Sequence, residues 1–221
     1  MAESKVRKYL DELITRYPIL ESVESEIWKA FQILEESFLS GGKILVAGNG
    51  GSAADSEHIV GELMKGFVKK RELSEQIKQN LIRVGGEDGE ILGNALQGAL
   101  PAIALVGNNA LDTAYANDVN AELVIAQSVY GYGNAEDVFL AISTSGNAVN
   151  LNYAMIAAKV KGLKCIALTG KDGGKLKEKA DLSIIVPEQE TFKIQELHLP
   201  IYHVLCLMLE EKFFANNEES L

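Results

Sequence analysis

Five short apolar runs, KILVAG (43–48), PAIALV (101–106), DVFLAIS (137–143), LKCIALT (163–169) and DLSIIV (181–186), constrain the fold more than any other feature of the chain. Each is strand-length and free of internal proline, and most lack the polar alternation of a half-exposed strand. That is the pattern of strands covered on both faces. Between them, residues 53–64, part of 109–129, 149–161, 174–180 and 192–213 read as helices, so strand and helix alternate along the chain. The expectation is an α/β fold with a parallel, doubly wound sheet. Ligands of such sheets bind outside the carboxyl ends of the strands, so the loops at 48–52, 107–109, 143–147 and 169–174 should converge on one crevice.

Before the first strand, Leu10, Ile14, Ile27, Ala30, Phe31, Leu34 and Phe38 recur at helical spacing with Pro18 interrupting, which places N-terminal helices over 1–40. A long helix over 190–214 closes the chain. Residues 68–100 break the pattern: they are polar, helix-like around 75–82, then glycine-rich. They read as an insertion in a single domain of 221 residues, either a solvent-exposed excursion or a flap over the crevice. With 31 acidic against 21 basic residues the net charge is −10, which argues against a surface for nucleic acid or an anionic membrane. Any phosphate site must therefore be local. Cys165 and Cys206 sit in apolar surroundings and read as core residues. The N-terminus lacks the apolar core of a signal peptide, and no apolar run reaches membrane-spanning length. A cytoplasmic protein is expected.

Two loops suit a phosphate. In GNGGSA (48–53), Gly50 and Gly51 let backbone approach an anion, Ser52 adds a hydroxyl, and a helix N-terminus follows. The same letters match a dinucleotide fingerprint, but the acid expected about 20 residues on is replaced by VKKRELSEQ, and no Walker lysine is present. No nucleotide cofactor is expected. STSGN (143–147) brings Ser143, Thr144 and Ser145 to a second strand-to-helix junction; alone it is equally an ordinary N-cap.

Candidate reacting groups lie on two helices. His58 and Glu62 are four apart on one helical face, which suits an acid/base pair, a shared metal, or a plain exposed pair. In KIQELHLPIYH, Gln195 and His203 are roughly two turns apart and about 80° around the helix, so both can point into one cavity. All three histidines of the chain, 58, 198 and 203, fall in these two segments.

With GNGGSAAD (48–55), the His58–Glu62 pair, AND (116–118), AISTSGN (141–147), LTGKDGGKL (168–176) and IQELHLPIYH (194–203), the chain resembles the sugar isomerase (SIS) domain proteins, and among them the phosphoheptose isomerases. The resemblance implies a three-layer αβα sandwich around a five-stranded parallel sheet, and a homotetramer with active sites between subunits. It implies isomerisation of sedoheptulose 7-phosphate to D-glycero-D-manno-heptose 7-phosphate. By position, Glu62 matches the family's general base and His203 its general acid. Ser52, Ser143, Thr144 and Ser145 match its phosphate ligands, and Asn49 and Asp118 its substrate contacts. His58, Glu62, Gln195 and His203 match a zinc site, one ion per active site. Glu196 and His198 are assigned to helix packing or to hydrogen bonding with the neighbouring strand.

The chain also departs from the family pattern. Lys65 and Gly66 stand where the family has Gly-Arg, Ala148 replaces a serine, and 38 residues separate Glu62 from Pro101. Another sugar phosphate therefore stays open as substrate. So does a non-catalytic SIS protein of the replication-initiator-associating kind, although such proteins carry other residues at the base and acid positions. A DNA-binding sugar-phosphate sensor is disfavoured, because the N-terminal helices are neither basic nor a clear helix-turn-helix.

Overall fold

The structure, a computed structural model, describes residues 2–215. The chain opens with α1 (Ala2–Arg16), a 3-10 turn (Pro18–Val23) and α2 (Glu24–Leu39). Pro18 has no N–H to continue α1, so the helix stops before it. There follow β1 (Ile44–Gly48), α3 (Gly51–Met64), α4 (Glu75–Gly85), α5 (Glu87–Ala95), β2 (Ala102–Ala104) and α6 (Asn109–Tyr115). A π-helical turn (Ala116–Asn120) and a 3-10 turn (Ala121–Leu123) lead into α7 (Val124–Tyr132). The remainder is β3 (Val138–Ser143), α8 (Val149–Val160), β4 (Lys164–Thr169), α9 (Gly174–Lys179), β5 (Leu182–Ile185) and α10 (Thr191–Phe214). No described helix is long and apolar enough to cross a membrane.

All five strands are parallel, in the order β2-β1-β3-β4-β5. Every residue of β1 and β3 is buried, whereas the edge strands β2 and β5 are only partly so, which is why the central runs show no polar alternation. Successive side chains on a strand point to opposite faces. Ile44, Val46, Val138, Leu140 and Ile142 accordingly join one core with Leu10, Ile27, Ile59 and Ile201, while Leu45, Ala47, Phe139 and Ala141 join a second with Val129, Leu151 and Met155. Helices thus cover both faces in three layers. β2 is shorter than the apolar run 101–106, because the chain leaves the ladder and turns at Gly107, whose φ is +80°.

The chain runs from β1 to β2 on one side and then crosses to β3 on the other, so the carboxyl ends of β1 and β3 flank the switch point where such sheets bind ligands.

The expected insertion is not one body. Arg71 is fully buried, and Glu210 of α10 accepts from the N–H groups of Phe67 (2.7 Å), Val68 (2.9 Å) and Lys69 (3.1 Å) and from Arg71 Nε (2.8 Å). The other guanidinium nitrogens donate to the carbonyls of Leu63 (2.7 Å) and Glu62 (2.9 Å), which the end of α3 leaves without intrahelical partners. The run VKKR is therefore core-anchored, and only the α4–α5 hairpin is an excursion. Its polar letters misread because the acid that pairs Arg71 lies 139 residues away.

Candidate active site

At the switch point the two glycine loops meet. Gly48 has no room for a Cβ, which would strike the backbone of Ser52, so α3 seats directly on the end of β1. In the second loop Gly146 has φ +65°, and a Cβ there would run into the Gly173 carbonyl oxygen. That close approach lets the Gly170 N–H donate to the Thr144 carbonyl (3.2 Å) and the Leu176 N–H to the Gly146 carbonyl (3.0 Å), stitching 143–147 to 170–176. Asn49 and Asn150 exchange amide hydrogen bonds of 3.0 and 2.9 Å across the crevice. Ser52 and Ser143 are buried at its base, with Thr144 and Ser145 half-buried above. Neither α3 nor α8 is capped by a side chain: Gly50 and Ala148 hold the N-cap positions. Ala148 removes a hydroxyl, yet it also leaves the first two N–H groups of α8 uncapped, as suits an anion, while the third donates to the Asn150 side chain (2.9 Å).

Further along α3 lies a cluster of ionisable rings. His58 Nε2 is 3.2 Å from Glu62 Oε1, and Lys65 Nζ is 3.1 Å from Glu62 Oε2. The His203 ring stands edge-on to His58 with centroids 5.0 Å apart, and Phe67 packs on it at 5.4 Å. His58 Nδ1 lies 3.0 Å from the Tyr202 hydroxyl, which donates to Asp55 at 3.2 Å. A hydroxyl that donates to Asp55 accepts from His58, so Nδ1 carries the proton and the second nitrogen faces the Glu62 carboxylate. Two acceptors at that distance need a cation between them, either a proton or a metal.

Burial pushes the Tyr202 phenol up, with the Asp55 charge adding to it, so the hydroxyl keeps its proton. Burial also raises the Asp55 carboxyl, against the hydrogen bond from Tyr202. His203 is lowered by burial first and by the neighbouring His58 second, and its Nε2 is buried without a hydrogen-bond partner.

Of the residues singled out from sequence, His58, Glu62 and His203 come together, as do the Gly50–Ser52 and Ser143–Ser145 loops with Asn49. Gln195 does not join the histidines: its amide lies against Gly51, where a Cβ would come within 2.7 Å of Nε2. That is eight residues, about 12 Å of helix rise, from His203. Asp118 is exposed on the π-helical turn and bonds Asn117 (2.9 Å) rather than any crevice group. Glu196 is also exposed; His198 is fully buried beside the Thr169 backbone of β4.

A metal has donors of the right kind in His58, Glu62 and His203, and the orphaned Nε2 of His203 marks where one would bind. Among the described residues, however, no three or more His, Cys, Asp or Glu side chains stand close enough together to hold a metal ion as placed here.

Four contributors escaped the sequence reading: Asp55, Tyr202, Asn150 and Arg71. Asp55 sits three residues before His58 on the same helical face and was findable by spacing; the others depend on contacts 101 to 144 residues apart.

A parallel α/β sheet with a glycine-hydroxyl crevice at its switch point and a His–Glu–His cluster on the helix that follows defines the class of protein, and comparison with known proteins names the family. Two models, each described as an SIS domain, match residues 102–209 and 8–79. A phosphoheptose isomerase of a Nitratiruptor species is 37% identical over 213 residues, 96% of this chain and 100% of the relative. One from Helicobacter pylori is 36% identical, covering 90% of each. A solved phosphoheptose isomerase from Francisella tularensis has a TM-score of 0.73 at 29% identity, covering 96% of this chain and 100% of that one. The chain belongs to the SIS-domain family, with the phosphoheptose isomerases.

Proposed function

We propose that the chain is an aldose–ketose isomerase converting sedoheptulose 7-phosphate to D-glycero-D-manno-heptose 7-phosphate. The observation that carries this reading is the meeting of His58, Glu62 and His203 at one spot, on a helix whose other end opens on the phosphate crevice. Ser52, Ser143, Thr144 and Ser145, with the backbone of Gly50 and Gly51, hold the phosphate and so position the distant carbonyl. Glu62 takes the proton from C1 and returns it at C2, while His203 passes a proton between the two oxygens through the enediol. Lys65, the exposed cation beside Glu62, stands in for the arginine of the family pattern and reaches toward the sugar hydroxyls.

A zinc ion held by His58, Glu62 and His203 would supply Lewis-acid stabilisation of the enediolate. Assembly as a homotetramer with sites between subunits is part of the same reading. It is supported by Asp118, which one chain leaves exposed and apart from the cluster. A cytoplasmic setting suits two free, buried thiols, Cys165 and Cys206.

The test follows sedoheptulose 7-phosphate by NMR in deuterated water. The wild type should form aldose with deuterium entering at the reacting carbon. Glu62→Gln should lose about 10³-fold in turnover while binding the sugar phosphate within a few-fold. A fully active Glu62→Gln enzyme would overturn the mechanism, and absence of conversion by the wild type would overturn the substrate.

A further inference from the structure

Asn49 follows the last residue of β1, and Asn150 lies in the first turn of α8 on the other side of the crevice. Both backbones are held in place. Gly48 has no room for a Cβ against Ser52, the Ser52 N–H donates to the Asn49 carbonyl (3.1 Å), and Asn150 is part of a helix. What stays free at each position is the side chain, whose amide can turn over and exchange its oxygen for its nitrogen.

The hydrogen bonds remove that freedom in order. The Leu151 N–H donates to Asn150 Oδ1 at 2.9 Å, and a backbone N–H can only donate, so the Asn150 amide has one orientation. Asn150 Oδ1 also accepts from Asn49 Nδ2 (3.0 Å), and Asn150 Nδ2 donates to Asn49 Oδ1 (2.9 Å). The first amide thereby fixes the second. Asn49 is exposed and Asn150 half-buried, and two neutral amides within reach of water gain little stability by pairing. Orientation is the larger effect.

A side-chain amide has two N–H donors and two lone pairs on its oxygen. In this pair the Asn150 oxygen is filled, each nitrogen keeps one N–H, and the remaining lone pair belongs to Asn49 Oδ1. A phosphate dianion takes donors alone, whereas a sugar hydroxyl both donates and accepts. The acceptor on Asn49 therefore suits a hydroxyl carried next to the phosphate and does nothing for the phosphate itself. We propose that Asn150 is a positioning residue for substrate selection, holding the Asn49 amide so that its oxygen meets a sugar hydroxyl. The inference rests on the reading of the crevice as a sugar-phosphate site.

Calorimetric titration of the full chain with sedoheptulose 7-phosphate and with inorganic phosphate tests it. Asn150→Leu keeps the shape of the side chain and forms no hydrogen bond. Its affinity for the sugar phosphate should fall about 3- to 10-fold, the cost of ordering one freed side chain, while that for inorganic phosphate stays within about twofold. In an Asn49→Ala background the same substitution should change neither affinity, because no amide is left to hold. Equal losses for the two ligands would make Asn150 a phosphate ligand or a prop for α8, and an undiminished loss in the Asn49→Ala background would mean that it acts without Asn49. Either result overturns the proposal, as does native sugar-phosphate affinity in Asn150→Leu. A wild type that binds sedoheptulose 7-phosphate no tighter than inorganic phosphate would overturn the isomerase reading, and this inference with it.

Discussion

The phenol oxygen of Tyr202 lies 3.0 Å from Nδ1 of His58, and this contact decides which imidazole nitrogen faces Glu62. Tyr202→Phe keeps the ring packed between His58 and His203 but frees the imidazole to change tautomer. We expect kcat to fall about 10- to 100-fold, as for other groups that orient a reacting histidine, with KM changed only a few-fold. Steady-state kinetics of the two enzymes checks this; a proportional rise in KM alone would assign Tyr202 to substrate binding.

Arg71 and Glu210 form a fully buried ion pair, and Arg71 also holds the carbonyls of Glu62 and Leu63. Arg71→Met leaves the buried Glu210 charge without its counter-ion, held only by the N–H groups of Phe67, Val68 and Lys69, and takes a donor from two helix-end carbonyls. The expected loss is about 3–5 kcal/mol of folding stability, read by urea unfolding. Glu210→Gln should cost as much in its own background, and Arg71→Met with Glu210→Gln should recover part of the loss, because that double variant buries no charge and the Gln oxygen still accepts from the backbone N–H groups of 67–69.

Gly146→Ala places a methyl group against the Gly173 carbonyl at a backbone angle that L-residues adopt at a cost of about 1–2 kcal/mol. The stitched loops at 143–147 and 170–176 must separate to admit it. We expect sugar-phosphate affinity to drop at least tenfold while the sheet stays folded, measured by calorimetric titration and by circular dichroism. Native affinity would show that the loop does not form the phosphate site.

His198 gives the chain an acid-sensitive core. Burial pushes its imidazole down to about 4, against about 6.5 in an unfolded chain. The unfolded chain therefore binds the proton more readily, and stability rises with pH across that interval. The contribution is complete above about pH 6.5 and drains away as pH falls toward about 4, by about 3 kcal/mol in all. His198→Leu has no such proton, so between pH 7 and pH 4 the wild type should lose that much stability relative to the variant. Parallel denaturant titrations at pH 7, 5.5 and 4 measure the difference.

The alternation of strand and helix, the doubly covered central strands and the two glycine-hydroxyl loops were all legible in the sequence. Each is a short-range property: apolar runs mark burial on two faces, and glycine marks where backbone must turn or approach closely. His58 and Glu62 were legible as a pair for the same reason, since four residues make one helical turn. Tertiary structure decided which groups on different elements meet. Gln195 and His203 share a helix but meet different parts of α3, because α10 lies along it and delivers one to Gly51 and the other to His58. Arg71 reads as surface in a polar run and is instead buried, because its partner arrives on a helix 139 residues later. The outward apolar face of α4–α5 belongs to the same category: periodicity shows an amphipathic helix, and only the packing of Gly89 and Gly93 against α4 decides that the face points away from the chain. Local sequence sets conformation, while long-range pairing depends on where whole elements come to rest against one another.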